Sequence, residues 1–234
     1  ISYLRPTKDV DFMGKDIEND EEVLKNTFAE IAKIESDDGL IFDPDSIKTE
    51  RITEDGNYKG VRVHIGVKLG SARDRLQIDI GFGDKIYKGP VEMEYPTLLD
   101  YPAPKILTYS IESSVAEKFE AIVSLGIATS RMKDFYDILF IAGRQKFEFK
   151  YLREALELTF GNRGTDTSDR SRIFENSFKA DKGKQIQWGA FIKKNKVESK
   201  DTFESVVDKL KILIEPLFIG DEFNVWNPEK WTWE

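Results

Sequence analysis

The patterning of this 234-residue chain predicts an α+β protein: a mixed or antiparallel sheet with helices, followed by a helical half. Two observations carry that expectation. Between residues 47 and 82, three runs alternate polar and apolar side chains, and short connections containing Gly, Asn and Asp separate them. Such alternation suits an antiparallel meander. From residue 112 onward the apolar residues recur three and four positions apart, the spacing of helices that bury one face. A proline-rich passage from Pro90 to Pro104 separates the two patterns and reads as a surface connection. The expected division is therefore 1–104 and 105–234.

The elements follow in order. In residues 7–13, Val10 and Phe12 alternate with Asp9, Asp11 and Met13, which fits a strand. Residues 20–34 place Val23, Leu24, Phe28, Ile31 and Ala32 at helical spacing, with Asp20 as the amino-terminal cap. Asp43-Pro44-Asp45 reads as a turn. Strands are expected at 47–53, 59–69 and 76–82, joined by Asp55-Gly56-Asn57 and by residues 70–74. Helices are expected at 112–125, ended by Gly126, and at 133–141, 151–160, 186–195 and 202–218, the last capped by Asp201 or Thr202.

Composition narrows the function classes. With 40% hydrophobic and 33% charged residues, the chain can bury one core or two small ones. No apolar run reaches the roughly 18 residues needed to span a bilayer, and the first residues lack a secretory pattern. The expectation is a cytoplasmic protein. There is no cysteine, which excludes disulfides, thiolate nucleophiles and cysteine zinc sites, and the one histidine, His64, excludes multi-histidine sites. Metal chemistry would have to use oxygen ligands, which favours Mg2+ or Mn2+. The net charge of −8 argues against wholesale nucleic-acid binding, while leaving room for a local basic patch.

Asp9 and Asp11 are separated by one residue, so on a strand both point to one face. Like charges that close are unfavourable unless a cation sits between them. Asp79 adds a third carboxylate, on the polar side of a strand whose Leu76, Ile78 and Ile80 face a core. Three such groups on neighbouring strands can hold two magnesium ions. The plainer reading is solvated acids on loops or sheet edges. His64 alternates towards the polar face of its strand. In the helical half, Arg131 and Asp134 stand three apart and Lys133 and Asp137 four apart, so ion pairs within one helix are the plain reading there. Lys118, beside Phe119, would then be an exposed lysine with a packed stem.

Taken together, Arg5-Pro6-Thr7-Lys8-Asp9-Val10-Asp11-Phe12, Asp79, Ala116-Glu117-Lys118 and Ser130-Arg131-Met132-Lys133-Asp134-Phe135-Tyr136-Asp137 resemble the AbiEii/AbiGii-type nucleotidyltransferases. These are toxins of bacterial toxin–antitoxin and phage-defence systems, within the DNA polymerase beta-like nucleotidyltransferase superfamily. The resemblance implies a nucleotidyltransferase α/β core at 1–104 and a helical domain at 105–234 that completes the active-site cleft. It implies that Asp9 and Asp11 are paired metal ligands and that Asp79 is the third, with Asp84 as a nearby competitor. Lys118 would contact nucleotide phosphate, Asp134 would orient Lys118 or a substrate group, Arg131 and Lys133 would support phosphate binding, and Asp137 would lock the helix. The family carries a Gly-Gly or Gly-Ser turn shortly before its Asp-x-Asp strand. Only eight residues precede Asp9, so that turn is expected upstream of residue 1.

The implied activity transfers a nucleoside monophosphate from a nucleoside triphosphate to an acceptor such as tRNA or another RNA, using Mg2+ or Mn2+. A cognate antitoxin is the expected partner. A catalytically silent, nucleotidyltransferase-like binding module is the alternative, and a phosphohydrolase a third reading. Arg163, Arg170, Arg172, Lys182, Lys184, Lys193, Lys194 and Lys196 are either an RNA-binding surface or an ordinary solvated one. The tryptophans at 226, 231 and 233 either offer a partner surface or pin the terminus to the core.

Overall fold

The computed structural model describes residues 7, 9–54, 58–97, 99–197, 199–220 and 223–234. Arg5, Pro6 and Lys8 of the first motif and the connection Asp55-Gly56-Asn57 lie outside the described residues. The chain divides into two compact units, Pro6–Asp84 and Lys85–Glu234.

In the first unit, β1 (Asp9–Met13) precedes α1 (Glu21–Ala32). As expected, the Asp20 carboxylate caps α1, accepting from the backbone N–H groups of Glu22 and Val23 at 2.9 and 3.0 Å. Then come β2 (Leu40–Glu54), β3 (Tyr58–Leu69) and β4 (Ala72–Gly81). The sheet order is β1-β4-β3-β2, with β2, β3 and β4 antiparallel and β1 parallel to β4. Alternation in β3 buries Val61, Val63 and Ile65 on one face, where they join Ile47, Ile78, Ile80 and Leu24 of α1. Each such aliphatic burial is worth roughly 1.5–3 kcal/mol. Val10 and Phe12 of the edge strand β1 share that face, yet stay 39% and 52% exposed.

Two expectations change here. Asp43-Pro44-Asp45 is not a turn but belongs to β2, at a register shift between Asp43 and Lys48. Pro44 lacks an N–H, which an edge strand tolerates at a bulge. Ser46 repairs the gap: its hydroxyl donates to the Asp43 carbonyl and accepts from the Gly66 N–H. The connection expected at 70–74 shrinks to Gly70-Ser71, because β4 starts at Ala72 and Gly70 takes a φ of 58° that closes the hairpin tightly.

In the second unit the proline-rich passage is more than a connection. Residues Val91–Glu94 (β5) pair antiparallel with Lys105–Thr108 (β6), so a division after residue 104 would cut between strands that hydrogen-bond to each other. The helices are α2 (Ile111–Leu125), α3 (Met132–Ala142), α4 (Phe149–Arg163), α5 (Arg170–Ile173), α6 (Asn176–Lys179), α7 (Lys182–Asn195) and α8 (Phe203–Ile214). Gly126 ends α2 with a φ of 52°, and Thr202, of the two candidates, caps α8. Phe119, Phe135, Leu152, Phe160, Leu210 and Trp226 lie at the centre of this core. The tail pairs β7 (Trp226–Asn227) with β8 (Thr232–Trp233) and is pinned as one reading foresaw. The indole N–H of Trp226 donates to the Ala142 carbonyl, and that of Trp233 to the Leu213 carbonyl.

Candidate active site

Parallel pairing of β1 with β4 sets Asp11 opposite Asp79 and Asp9 opposite Gln77. Paired residues share a face, so the polar side of the sheet carries two rows across its strands. One row reads Asp11, Asp79, Arg62, Glu50 and the other Asp9, Gln77, His64, Lys48. Asp9, Asp11 and Asp79 offer carboxylate oxygens that all lie within 4.8 Å of one another. Asp84, the sequence competitor, is outside that group among the described residues.

The surroundings of the three acids differ. Asp11 is exposed and Asp9 half-buried, with the Thr7 hydroxyl donating to Asp9 Oδ1 at 2.8 Å. Asp79 is only 6% exposed although it sits on the polar face. Arg62 accounts for its burial and its charge. The guanidinium forks onto Asp79, with Nε to Oδ1 and Nη2 to Oδ2 both at 2.7 Å. That hydrogen-bonded carboxylate pushes the Arg62 pKa up, more than burial pulls it down. Arg62 also lies 3.8 Å from Glu50, whose same oxygen is 3.6 Å from His64 Nε2. Neither Arg62 nor Glu50 was a sequence candidate. The alternation of Arg62 with buried Val61 and Val63 was the available signal, but the partner required the register.

The donor set suits a hard divalent cation. All ligands are carboxylate oxygens, and opposite oxygens across a six-coordinate Mg2+ stand roughly 4 Å apart.

The second unit holds the other candidates. Lys118 on α2 reaches α3, where its Nζ is 3.0 Å from Asp137 Oδ2 and 3.7 Å from Asp134 Oδ1. Asp134 and Asp137 are almost wholly buried. Arg131 Nε donates to Asp134 Oδ2, the expected pair three residues apart. Asp137, expected to lock the helix, ties α3 to α2 through Lys118. Asp134 Oδ1 accepts no hydrogen bond among the described residues, so the Lys118 ammonium is its nearest compensation. Lys133 is exposed. The loop ahead of α3 is held by Lys184, which is 6% exposed and donates to the Thr129 carbonyl. Burial pulls the Lys184 pKa below its ordinary value. The Thr129 hydroxyl in turn accepts from the Arg131 N–H.

Some of the expected basic surface is spent internally. Arg163 clasps Glu117 and Glu120 of α2, Arg170 pairs with Glu215 and covers the Phe218 ring, and Lys184 is buried. Arg172, Lys182, Lys193, Lys194 and Lys196 are exposed.

A mixed sheet with an Asp-x-Asp strand lying parallel to a third aspartate, followed by helices, defines a nucleotidyltransferase-type protein. The chain belongs to the family described as "Nucleotidyl transferase AbiEii toxin, Type IV TA system", whose model matches residues 4–209. Two solved structures are similar. One is JHP933 from Helicobacter pylori, with 15% identity and a TM-score of 0.45 over 91% of this chain and 76% of that one. The other is a candidate nucleotidyltransferase from H. pylori, with 14% identity and a TM-score of 0.43 over 91% and 78%. No curated protein matches the chain. No helix among the described residues is long and apolar enough to cross a membrane.

Proposed function

We propose that the chain is a divalent-cation-dependent nucleotidyltransferase that moves a nucleoside monophosphate from a nucleoside triphosphate to an RNA hydroxyl, with tRNA the leading acceptor. One observation carries the reading: Asp9, Asp11 and Asp79 meet in register on one sheet face, with oxygens within 4.8 Å. In the transfer, the acceptor oxygen bonds to the α-phosphorus, the bond to the bridging oxygen breaks, pyrophosphate leaves and the hydroxyl proton is released. Mg2+ or Mn2+ would supply charge neutralisation at the phosphates and lower the cost of deprotonating the hydroxyl.

The chain's own residues have separable tasks. Asp9, Asp11 and Asp79 hold the cations. Lys118 brings positive charge to a phosphate, and Asp137 and Asp134 fix its ammonium while leaving it donors to give. Arg131, oriented by Asp134, and exposed Lys133 add further positive charge. As a toxin, the protein acts in the cytoplasm and is restrained by a cognate antitoxin.

The test is incorporation of each labelled nucleoside triphosphate into total RNA with Mg2+, wild type beside Asp11→Ala. Label entering RNA with the wild type alone supports the reading and identifies the nucleotide. No incorporation by folded wild-type protein, with any of the four, sinks the RNA-transfer reading and favours a silent binding module. Release of inorganic phosphate in place of pyrophosphate would make the site a phosphohydrolase.

A further inference from the structure

The Arg62 fork uses both oxygens of Asp79, the most buried carboxylate of the three. Each oxygen keeps a further lone pair, but the fork fixes how the carboxylate is turned, and the guanidinium charge beside it opposes a cation there. Arg62 nevertheless has a second place to go. Glu50 faces it in the β2–β3 register, with Oε1 3.8 Å from Arg62 Nη1. The Glu50 side chain is 57% exposed and that of Asp79 only 8%, so a move towards Glu50 takes the guanidinium to water and not deeper into the fold. Gln77 gives Asp79 only long contacts of 3.4 and 3.5 Å, so no other described side chain holds its oxygens as Arg62 does. Across the sheet, one base thus stands between the two acids of the triad on one side and a solvent-facing acid on the other.

We propose that Arg62 is a movable counter-cation that competes with divalent cations for Asp79, and that Glu50 is the carboxylate that takes it over. Arg62 is then a positioning residue that sets cation affinity and not a ligand. The inference rests on the cation-binding reading of the triad and adds a gate to it.

The experiment is a Mn2+ titration of the full chain without nucleotide, at fixed ionic strength, followed by the resonance of free Mn2+. Arg62→Gln is expected to bind Mn2+ several-fold more tightly than wild type, because the competitor is gone. Glu50→Gln is expected to bind several-fold more weakly, because Arg62 loses its alternative partner. In the double variant the Glu50 effect should vanish, since Glu50 acts only through Arg62. A Glu50 effect of undiminished size in the double variant overturns the hand-over, because it would reflect the bare field of that charge. Equal or weaker Mn2+ binding by Arg62→Gln overturns the competition, while Mn2+ binding by the wild type leaves the triad reading standing. A wild type that binds no Mn2+ overturns both. Arg62→Lys, which keeps the charge and loses the fork, replaces Arg62→Gln if that variant does not melt cooperatively. It too must bind Mn2+ more tightly than wild type, or the proposal fails.

Discussion

On the sheet, Arg62 forks onto buried Asp79, while Asp9 and Asp11, the other two carboxylates of the group, reach solvent. On the helices, Asp134 and Asp137 are buried almost completely and matched by Lys118 and Arg131, whose side chains keep 26% and 29% exposure. The first arrangement crowds three carboxylates within 4.8 Å of one another at a partly solvated face, a like-charge contact that an added cation would relieve. In the second, two buried acids hold two partly exposed cations, Lys118 and Arg131. Under the proposed function, the acids would have opposite roles in the two units, receiving charge in one and presenting it in the other.

This contrast can be broken most directly at Asp11. Asp11→Ala is expected to lower transfer by about a hundredfold or more, while the melting temperature stays level or rises because a like-charge contact is gone. A drop of several degrees would place Asp11 among the structural acids instead. Asp134→Ala should behave oppositely and cost about 3 kcal/mol in urea unfolding, the low end for breaking a buried pair because Arg131 stays partly solvated. Retention of full stability would remove the anchoring role.

Lys184 sharpens the comparison through pH. Its folded pKa is lowered by burial, so as pH rises through that value towards the ordinary 10.5, the folded protein releases a proton that the unfolded chain still holds. Stability is then recovered with rising pH over that interval. Lys184→Met should abolish this alkaline gain, and an equal rise of melting temperature with pH below 10.5 in both proteins would contradict it. The smallest effect is expected at exposed Lys133. Lys133→Ala should change stability by less than about 0.5 kcal/mol while raising the KM for the nucleoside triphosphate, and an unchanged KM would remove it from phosphate binding.

Much of this was legible in the chain itself because it is local. Asp20 caps α1 and Gly126 ends α2 through contacts within a few residues, and the period-two runs mark β3 and β4 directly. The three carboxylates were readable as a candidate group from strand alternation, and the resemblance to known toxins favoured that reading over solvated acids on loops or edges. Pairing over long distances was not readable. Nothing in Arg62 announces that it meets Asp79, and the cross-helix bond from Lys118 to Asp137 competes with a pairing inside α3 that spacing alone would favour. Arg163 and Lys184 looked like surface cations because composition does not reveal which charges find buried partners. β5 was hidden by the prolines around it, since only its register with β6 shows that 91–94 is a strand.

The edge position of β1 has a consequence for how the protein is made. Its partner β4 lies about 70 residues further along the chain, so the carboxylates cannot gather until β4 has left the ribosome and β1 has closed that long loop. With Val10 and Phe12 still wetted, closure gains little from burial, whereas the β2–β4 meander has its own core. Amides of β1 should therefore exchange with deuterium ahead of those in β3, and an ion that bridges Asp11 and Asp79 would staple the strand and slow that exchange. If the proposed cation binds there, it would also complete the sheet, and a newly synthesised chain would lack an assembled carboxylate site until this strand is fastened.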